Sequence, residues 1–226
     1  LTLAKCPHVL IAGTTGSGKS YWMHNAIRWS IAQGFWSIVF DPKYNEFSEY
    51  VGQSRVLHFS DKQAIAAQTE SLVELMDSRF KILAAAKCKD ILEYCQTGQP
   101  MDPLVLFVDE YADLVMQCGK DWTENIQRLA QKGRAAGIHI LLATQAPTAK
   151  LLNGELKANF PVRIAFKTAN TVSSRVVLES NVAASLAGYG DGVVIDEAGK
   201  IFRFKGYLKN ILPINFTKQL YRRVAQ

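Results

Sequence analysis

The run Gly13-Thr14-Thr15-Gly16-Ser17-Gly18-Lys19-Ser20 constrains this chain more than any other feature. It fits the GxxxxGKS phosphate-loop pattern, preceded by the apolar run His8 to Ala12 and followed by the helical run Tyr21 to Ile31. A Gly-rich turn between a buried strand and a helix start lets backbone N–H groups turn inward around a β-phosphate. The helix start adds the positive end of its dipole, and Lys19 reaches the β- and γ-phosphates. Ser20 stands where such loops hold Mg2+. The loop residues Gly13, Thr14, Thr15, Gly16, Ser17, Gly18, Lys19 and Ser20 are therefore the expected nucleotide-binding residues, with ATP and Mg2+ as the expected cofactors.

The rest of the chain supplies the sheet such a loop needs. His8–Ala12, Ser37–Phe40, Val56–Phe59, Leu104–Val108, Ile138–Ala143 and Val162–Phe166 are short and mostly apolar throughout, as strands covered on both faces are, and crossover helices fit between them. The expected fold class is α/β with a mainly parallel central sheet flanked by helices. The longest helical pattern, from about Lys62 to Cys95, reads as one long helix or two, ended by Gly98-Gln99-Pro100. Val193 to Asp196 and Lys200 to Phe204 read as an edge hairpin around the loop Glu197-Ala198-Gly199. A hydrophobic fraction of 48% with 20% charged residues suits one sizeable core and excludes a disordered tail or fibrous repeat. With no internal repeat and no low-complexity linker, one domain over residues 1–226 is expected.

Hydrolysis requires more than a phosphate loop. The apolar strand Leu104–Val108 ends in Asp109-Glu110, which supplies a carboxylate for Mg2+ through water (Asp109) and a group to polarise the attacking water (Glu110). Ile138–Ala143 ends in Thr144-Gln145, polar groups expected beside the γ-phosphate, with Gln145 sensing hydrolysis. Cys6, Cys88, Cys95 and Cys118 form no CxxC pair, and the four histidines show no metal-ligand spacing beside them, so reduced cytosolic thiols are expected. No apolar run approaches the roughly 18–20 residues of a spanning helix, and no signal-peptide pattern is present, so a soluble, cytoplasmic chain is expected.

Taken in order, these motifs resemble a family. Ala12 to Ser20, Phe40-Asp41-Pro42-Lys43, Val108 to Leu114, Arg128 to His139, Ala143-Thr144-Gln145, Lys157 to Phe166, Ser173-Ser174-Arg175 and the Gly188 to Gly192 turn closely resemble the motor domain of FtsK/SpoIIIE double-stranded DNA translocases, within the FtsK/HerA superfamily. The resemblance implies a RecA-like ATPase core, usually a hexameric ring, that pulls duplex DNA through a central channel. It places the arginine that acts in trans on the neighbouring subunit's nucleotide in the segment holding Arg134, with Arg163 in reserve. Lys157 and Arg175 match DNA-facing charges of the channel loops. Ala146 and Thr171 stand where the family commonly has basic residues.

Charge agrees with a polyanionic partner. Residues 1–150 hold 15 basic and 15 acidic side chains and residues 151–226 hold 11 and 5, so the whole excess of +6 lies in the last third. The expected function is an ATP-driven translocase of double-stranded DNA, with packaging of a viral genome as the preferred setting. A packaging motor would also meet a portal or a membrane-anchored vertex protein. A chromosome-segregation or conjugative coupling motor would share every catalytic residue. A regulatory nucleotide-binding module is the reading from a different class, and Glu110 argues against it.

Overall fold

The computed structural model describes residues 8–206. The chain runs β1 (His8–Ala12), α1 (Lys19–Ala32), β2 (Trp36–Phe40), β3 (Val56–Phe59), α2 (Lys62–Ala85), α3 (Ile91–Gln96) and β4 (Leu104–Val108). It continues through α4 (Tyr111–Lys132), β5 (Ile138–Thr144), α5 (Gly154–Asn159), β6 (Val162–Phe166), α6 (Thr171–Leu178), β7 (Asp191–Ile195) and β8 (Ile201–Lys205). Every expected strand is present, and β5 runs one residue further than its apolar run, through Thr144. One sheet takes all eight strands in the order β3-β2-β4-β5-β1-β6-β7-β8. Pairing is parallel from β3 to β6 and antiparallel at β6–β7 and β7–β8.

The apolar runs have no polar alternation because both sheet faces are covered. On β1, Val9 and Ile11 pack with Trp22, Met23 and Ile27 of α1, while Leu10 and Ala12 join Leu72 and Met76 of α2 and Leu114 and Ile126 of α4. The turn segment after β2 seals the α1 face with Phe47 and Tyr50. Asp41, fully buried, holds that segment by accepting the Phe47 N–H at 3.0 Å.

The helical pattern from Lys62 to Cys95 resolves into two helices. Lys87 takes a left-handed φ of 56°, and Asp90 caps α3 by accepting the Glu93 N–H. Helix α4 is interrupted at Gly119 (φ 79°, ψ −161°). Trp122, beyond that break, donates its indole N–H to Thr69 of α2 at 2.9 Å. The edge hairpin forms around the expected three residues: Asp196 N–H donates to Lys200 O, and the Asp196 carboxylate accepts from Ala198 and Lys200. No helix among the described residues is long and apolar enough to cross a membrane. Cys88, Cys95 and Cys118 are free thiols.

Candidate functional site

The C-terminal ends of β4, β5, β1 and β6 lie side by side, with Ala12 level with Thr144 on one flank and Ala165 on the other. The phosphate loop after β1 is therefore anchored on two sides. Gly13 N–H donates to Thr144 O at 3.3 Å, Thr14 N–H donates to Lys167 O at 2.9 Å, and the Thr14 hydroxyl donates to the same carbonyl. Two glycines are dictated by space. A Cβ on Gly13 would lie 2.6 Å from Ser17 Oγ and 2.8 Å from Phe166 Cβ. A Cβ on Gly18, whose φ is +110°, would lie 2.8 Å from the Gly190 backbone.

Asp or Asn side chains cap α2, α3, α5 and α6, whereas α1 and α4 begin at Gly18 and Glu110 with no side-chain cap. The N–H groups of Gly16, Gly18, Lys19 and Ser20 have no acceptor among the described residues. Ser17 Oγ is buried and also lacks a partner. Such a cluster of orphaned donors costs stability unless an anion meets it, and the loop shape fits the phosphates of a nucleotide.

Two carboxylates complete the site. Lys19 Nζ lies 2.9 Å from Asp109 Oδ1, a pair with side chains 2% and 3% exposed. Glu110 takes a left-handed φ of 52°, which costs roughly 1–3 kcal/mol for a residue with a side chain. That turn aims its buried carboxylate at the end of β5. Thr144 donates its hydroxyl to Oε1 at 2.9 Å, and the Gln145 N–H reaches Oε1 at 3.2 Å and Oε2 at 3.0 Å. Gln145 closes the loop of contacts, because Thr15 donates its hydroxyl to Gln145 Oε1 at 2.8 Å. The phosphate loop, Glu110 and the β5 end thus form one connected polar network. Among the described residues no group of three His, Cys, Asp or Glu side chains could hold a metal ion by itself. Ser20 and Asp109 offer a hydroxyl and a carboxylate, a hard oxygen donor set that suits Mg2+ completed by phosphate oxygens and water.

Sequence reasoning gave Lys43 no role. Its ammonium lies 3.3 Å from Asp113 Oδ2, one turn into α4 beyond Glu110. Burial opposes its charge, but the hydrogen bond to Asp113 and the fields of Asp113, Glu110 and Asp109 outweigh it and hold the group above the usual lysine range. The run Asp41-Pro42-Lys43 was the available signal. A cavity of about 280 Å³ opens beside Gly18, lined by Tyr21, Trp22, Phe166, Tyr189 and Phe204. Tyr189 is 88% exposed in the Gly188-Tyr189-Gly190 turn, in which all three residues have left-handed φ.

The remaining expected residues lie elsewhere. Arg134 is exposed on the turn before β5, at the strand end opposite the phosphate loop; seven residues of strand put it about 20 Å away. Arg163 is engaged within its own chain, donating to Val177 O at 3.0 Å and to Glu179 at 3.1 Å. Lys157 shares Glu179 at 3.3 Å, and exposed Arg175 donates to Asn181 at 2.6 Å. Arg203 is paired with Asp191. Lys209, Lys218, Arg222 and Arg223 fall outside the described residues, and with them four of the six excess positive charges, since no acidic residue accompanies them.

A phosphate loop between parallel strands, an acidic pair on the strand two places away and a Thr-Gln end on the strand between them define a RecA-like P-loop ATPase. The FtsK/SpoIIIE family model matches residues 1–102 and 96–149, so the chain belongs to the FtsK/SpoIIIE family. A DNA translocase FtsK of Brucella melitensis biotype 1 is 36% identical over 244 residues, covering 90% of this chain and 30% of that protein. The chain thus spans less than a third of the length of that relative. Among solved structures, the pCW3 conjugation coupling protein TcpA, determined with ATPγS, superposes with a TM-score of 0.82 at 28% identity over 96% of this chain and 62% of that one. B204, the DNA-packaging ATPase of Sulfolobus turreted icosahedral virus, superposes at 0.61 with 20% identity over 90% and 99%, a likeness of fold.

Proposed function

We propose that this chain is the motor of a double-stranded DNA translocase that hydrolyses ATP. The observation that carries the reading is the Glu110 network. A buried carboxylate, turned by a strained backbone onto Thr144 and Gln145 and linked through Thr15 to the phosphate loop, is arranged for chemistry at a γ-phosphate. A module that only binds nucleotide has no use for it, which argues against the regulatory reading. In this reading the loop N–H groups and Lys19 bind the phosphates, and Ser20 and Asp109 hold Mg2+. The metal supplies charge neutralisation on the phosphate oxygens. Glu110 orients and takes a proton from the attacking water, with Thr144 and the Gln145 N–H fixing its carboxylate. Gln145 transmits the state of the site to the β5 end. The aromatic cavity beside Gly18 seats the nucleoside.

Arg134 lies too far from its own phosphate loop to act there, which supports its role on a neighbouring subunit within a homo-oligomeric, hexameric ring. Lys157 and Arg175 contact DNA phosphates, the contacts a motor needs if it is not to stall at preferred sequences. The eight strands of the described residues form one sheet, in keeping with a single motor domain. Duplex translocation is common to segregation, conjugation and packaging. The similarity to TcpA exceeds that to B204, so no specific observation favours the packaging setting over the others. The test is ATP turnover with and without duplex DNA: stimulation is expected, and turnover indifferent to DNA would overturn the translocase reading.

A further inference from the structure

Surface turns are ordinarily the least determined part of a fold. The turn over residues 133–137, which carries Arg134, is determined at every carbonyl. Gly133 O accepts from Ile138 N–H at 2.8 Å, Arg134 O from Gly137 N–H at 3.1 Å, Ala135 O from Ile91 N–H at 2.8 Å and Gly137 O from Leu104 N–H at 2.9 Å. The fifth, Ala136 O, accepts from a side chain, Arg79 Nη1, at 2.7 Å. Arg79 lies on α2 and is buried; its other terminal nitrogen donates to Asp102 O at 2.7 Å. The Arg134 guanidinium itself has no ion-pair or hydrogen-bond partner among the described residues. One exposed cation therefore projects from a pinned backbone.

A buried guanidinium held by two main-chain carbonyls, with no carboxylate at ion-pair distance among the described residues, is a costly way to fill space, and an apolar side chain would pack more favourably. Its planar fork does what no apolar group can, tying the turn at Ala136 to the segment entering β4 at Asp102. Gly137, at φ +71°, presses the turn against the same supports: a Cβ there would lie 2.4 Å from Ile91 Cδ1 and 3.4 Å from Arg79 Nη1. We propose that Arg79 is the positioning residue that presents Arg134 to the phosphate site of the neighbouring subunit. The inference rests on the reading of Arg134 as an arginine acting in trans. Such an arginine contributes on the order of 10^3 to 10^5 in rate, and a misplacement of about 1 Å costs about 10^2.

The test uses ATP turnover of the full chain in mixed assemblies. Arg79→Met keeps the stem and removes both hydrogen bonds. Alone it should lower kcat by roughly 10- to 100-fold while the affinity for a slowly hydrolysed ATP analogue stays within about twofold, because its own phosphate loop is intact. Mixed with Glu110→Gln subunits, which bind nucleotide and keep a sound Arg134 turn, activity should recover to as much as about a quarter of wild type, the share of interfaces pairing a competent loop with a competent turn. Mixed with Arg134→Ala, Arg79→Met should recover nothing, because both lack the same contribution. Arg79→Lys, which can reach one carbonyl but not both, should lie between wild type and Arg79→Met, and it carries the same mixtures if Arg79→Met does not fold. Recovery of Arg134→Ala by Glu110→Gln without recovery of the Arg79 variants would overturn the role of Arg79 alone. Failure of the Arg134→Ala mixture would overturn the trans-acting arginine and, with it, this inference.

Discussion

Lys19 and Asp109 are 90 residues apart in sequence and meet at 2.9 Å with almost no exposure, so replacing one leaves the other as an unpaired buried charge. Lys19→Met keeps the bulk of the side chain and removes the ammonium. Breaking a buried pair in this way typically costs about 3–5 kcal/mol, most of it from the stranded partner. For a chain of this length unfolding entropy amounts to about 0.5 kcal/mol per degree, so Tm should fall by about 6–10 °C in buffer without nucleotide or Mg2+. The double variant Lys19→Met/Asp109→Asn carries no stranded charge and should recover at least half of that loss, a non-additivity that a bystander pair would not produce. The same pair competes with phosphate for Lys19. Asp109→Asn should therefore bind nucleotide more tightly in the absence of Mg2+ and gain less when Mg2+ is added. Differential scanning calorimetry on the four proteins, with nucleotide titrations beside it, checks both. A Lys19→Met protein melting within about 2 °C of wild type would refute the reasoning, because the carboxylate would then have found solvent or another partner.

Glu110→Gln should bind ATP normally and turn it over about 10^2 to 10^4 times more slowly, since the amide keeps acceptors for Thr144 or Gln145 but cannot take a proton; single-turnover kinetics with wild-type rates would show that another group orients the water. Replacing Lys157 and Arg175 together by Ala should weaken DNA binding equally on two unrelated duplexes and flatten the slope of log K against log salt by about one unit for each phosphate no longer neutralised; an unchanged slope removes both from the interface. His8 is held down to about 3, by burial first and then by the neighbouring His139, against a usual value of 6.5. The unfolded chain thus takes up the proton first as pH falls, so stability present above about pH 6.5 is lost at about 1.4 kcal/mol per pH unit on the way to about pH 3. Urea denaturation between about pH 6.5 and 5, above most carboxylate titration, should show this loss in wild type and a flatter profile in His8→Gln; parallel profiles would remove His8 as the cause.

What the sequence made legible is what depends on near neighbours. The phosphate loop is set by local spacing, and the strands by apolar runs that only a doubly covered sheet requires. The three-residue hairpin loop could be read because Gly199 supplies the left-handed residue it needs. The contacts that complete the site depend on tertiary placement and leave little local trace. Nothing near Glu110 announces a left-handed backbone, which survives only because Thr144 and Gln145 hold the carboxylate from 34 and 35 residues away. Lys87 breaks a helical periodicity that runs through it unaltered, and Gly119 interrupts α4 while the apolar pattern continues to Trp122 and Ile126. Lys157, expected to face DNA, and Arg163, the reserve for the trans-acting arginine, both pair with Glu179 at the end of α6, which no local pattern announces.

The phosphate site and Arg134 lie at opposite ends of the sheet, and the proposed role of Arg134 then has a consequence for assembly. All parts of the phosphate site sit where β1, β4, β5 and β6 end, while Arg134 stands before β5 begins, about 20 Å off and held there by a turn with no unbonded carbonyl. No rotamer change spans that distance, and moving the backbone would break the hydrogen bonds to the carbonyls of residues 133–137. If Arg134 acts on a phosphoryl group, the group belongs to another copy. The surface that gives the arginine and the surface that receives it are then different patches of one molecule. Such a contact is head-to-tail, so it cannot close as a two-fold dimer; it closes as a ring or grows as a filament. Once the arginine's role is granted, the fold's own geometry requires a head-to-tail contact, and a ring is its closed form, the form whose central channel would admit duplex DNA.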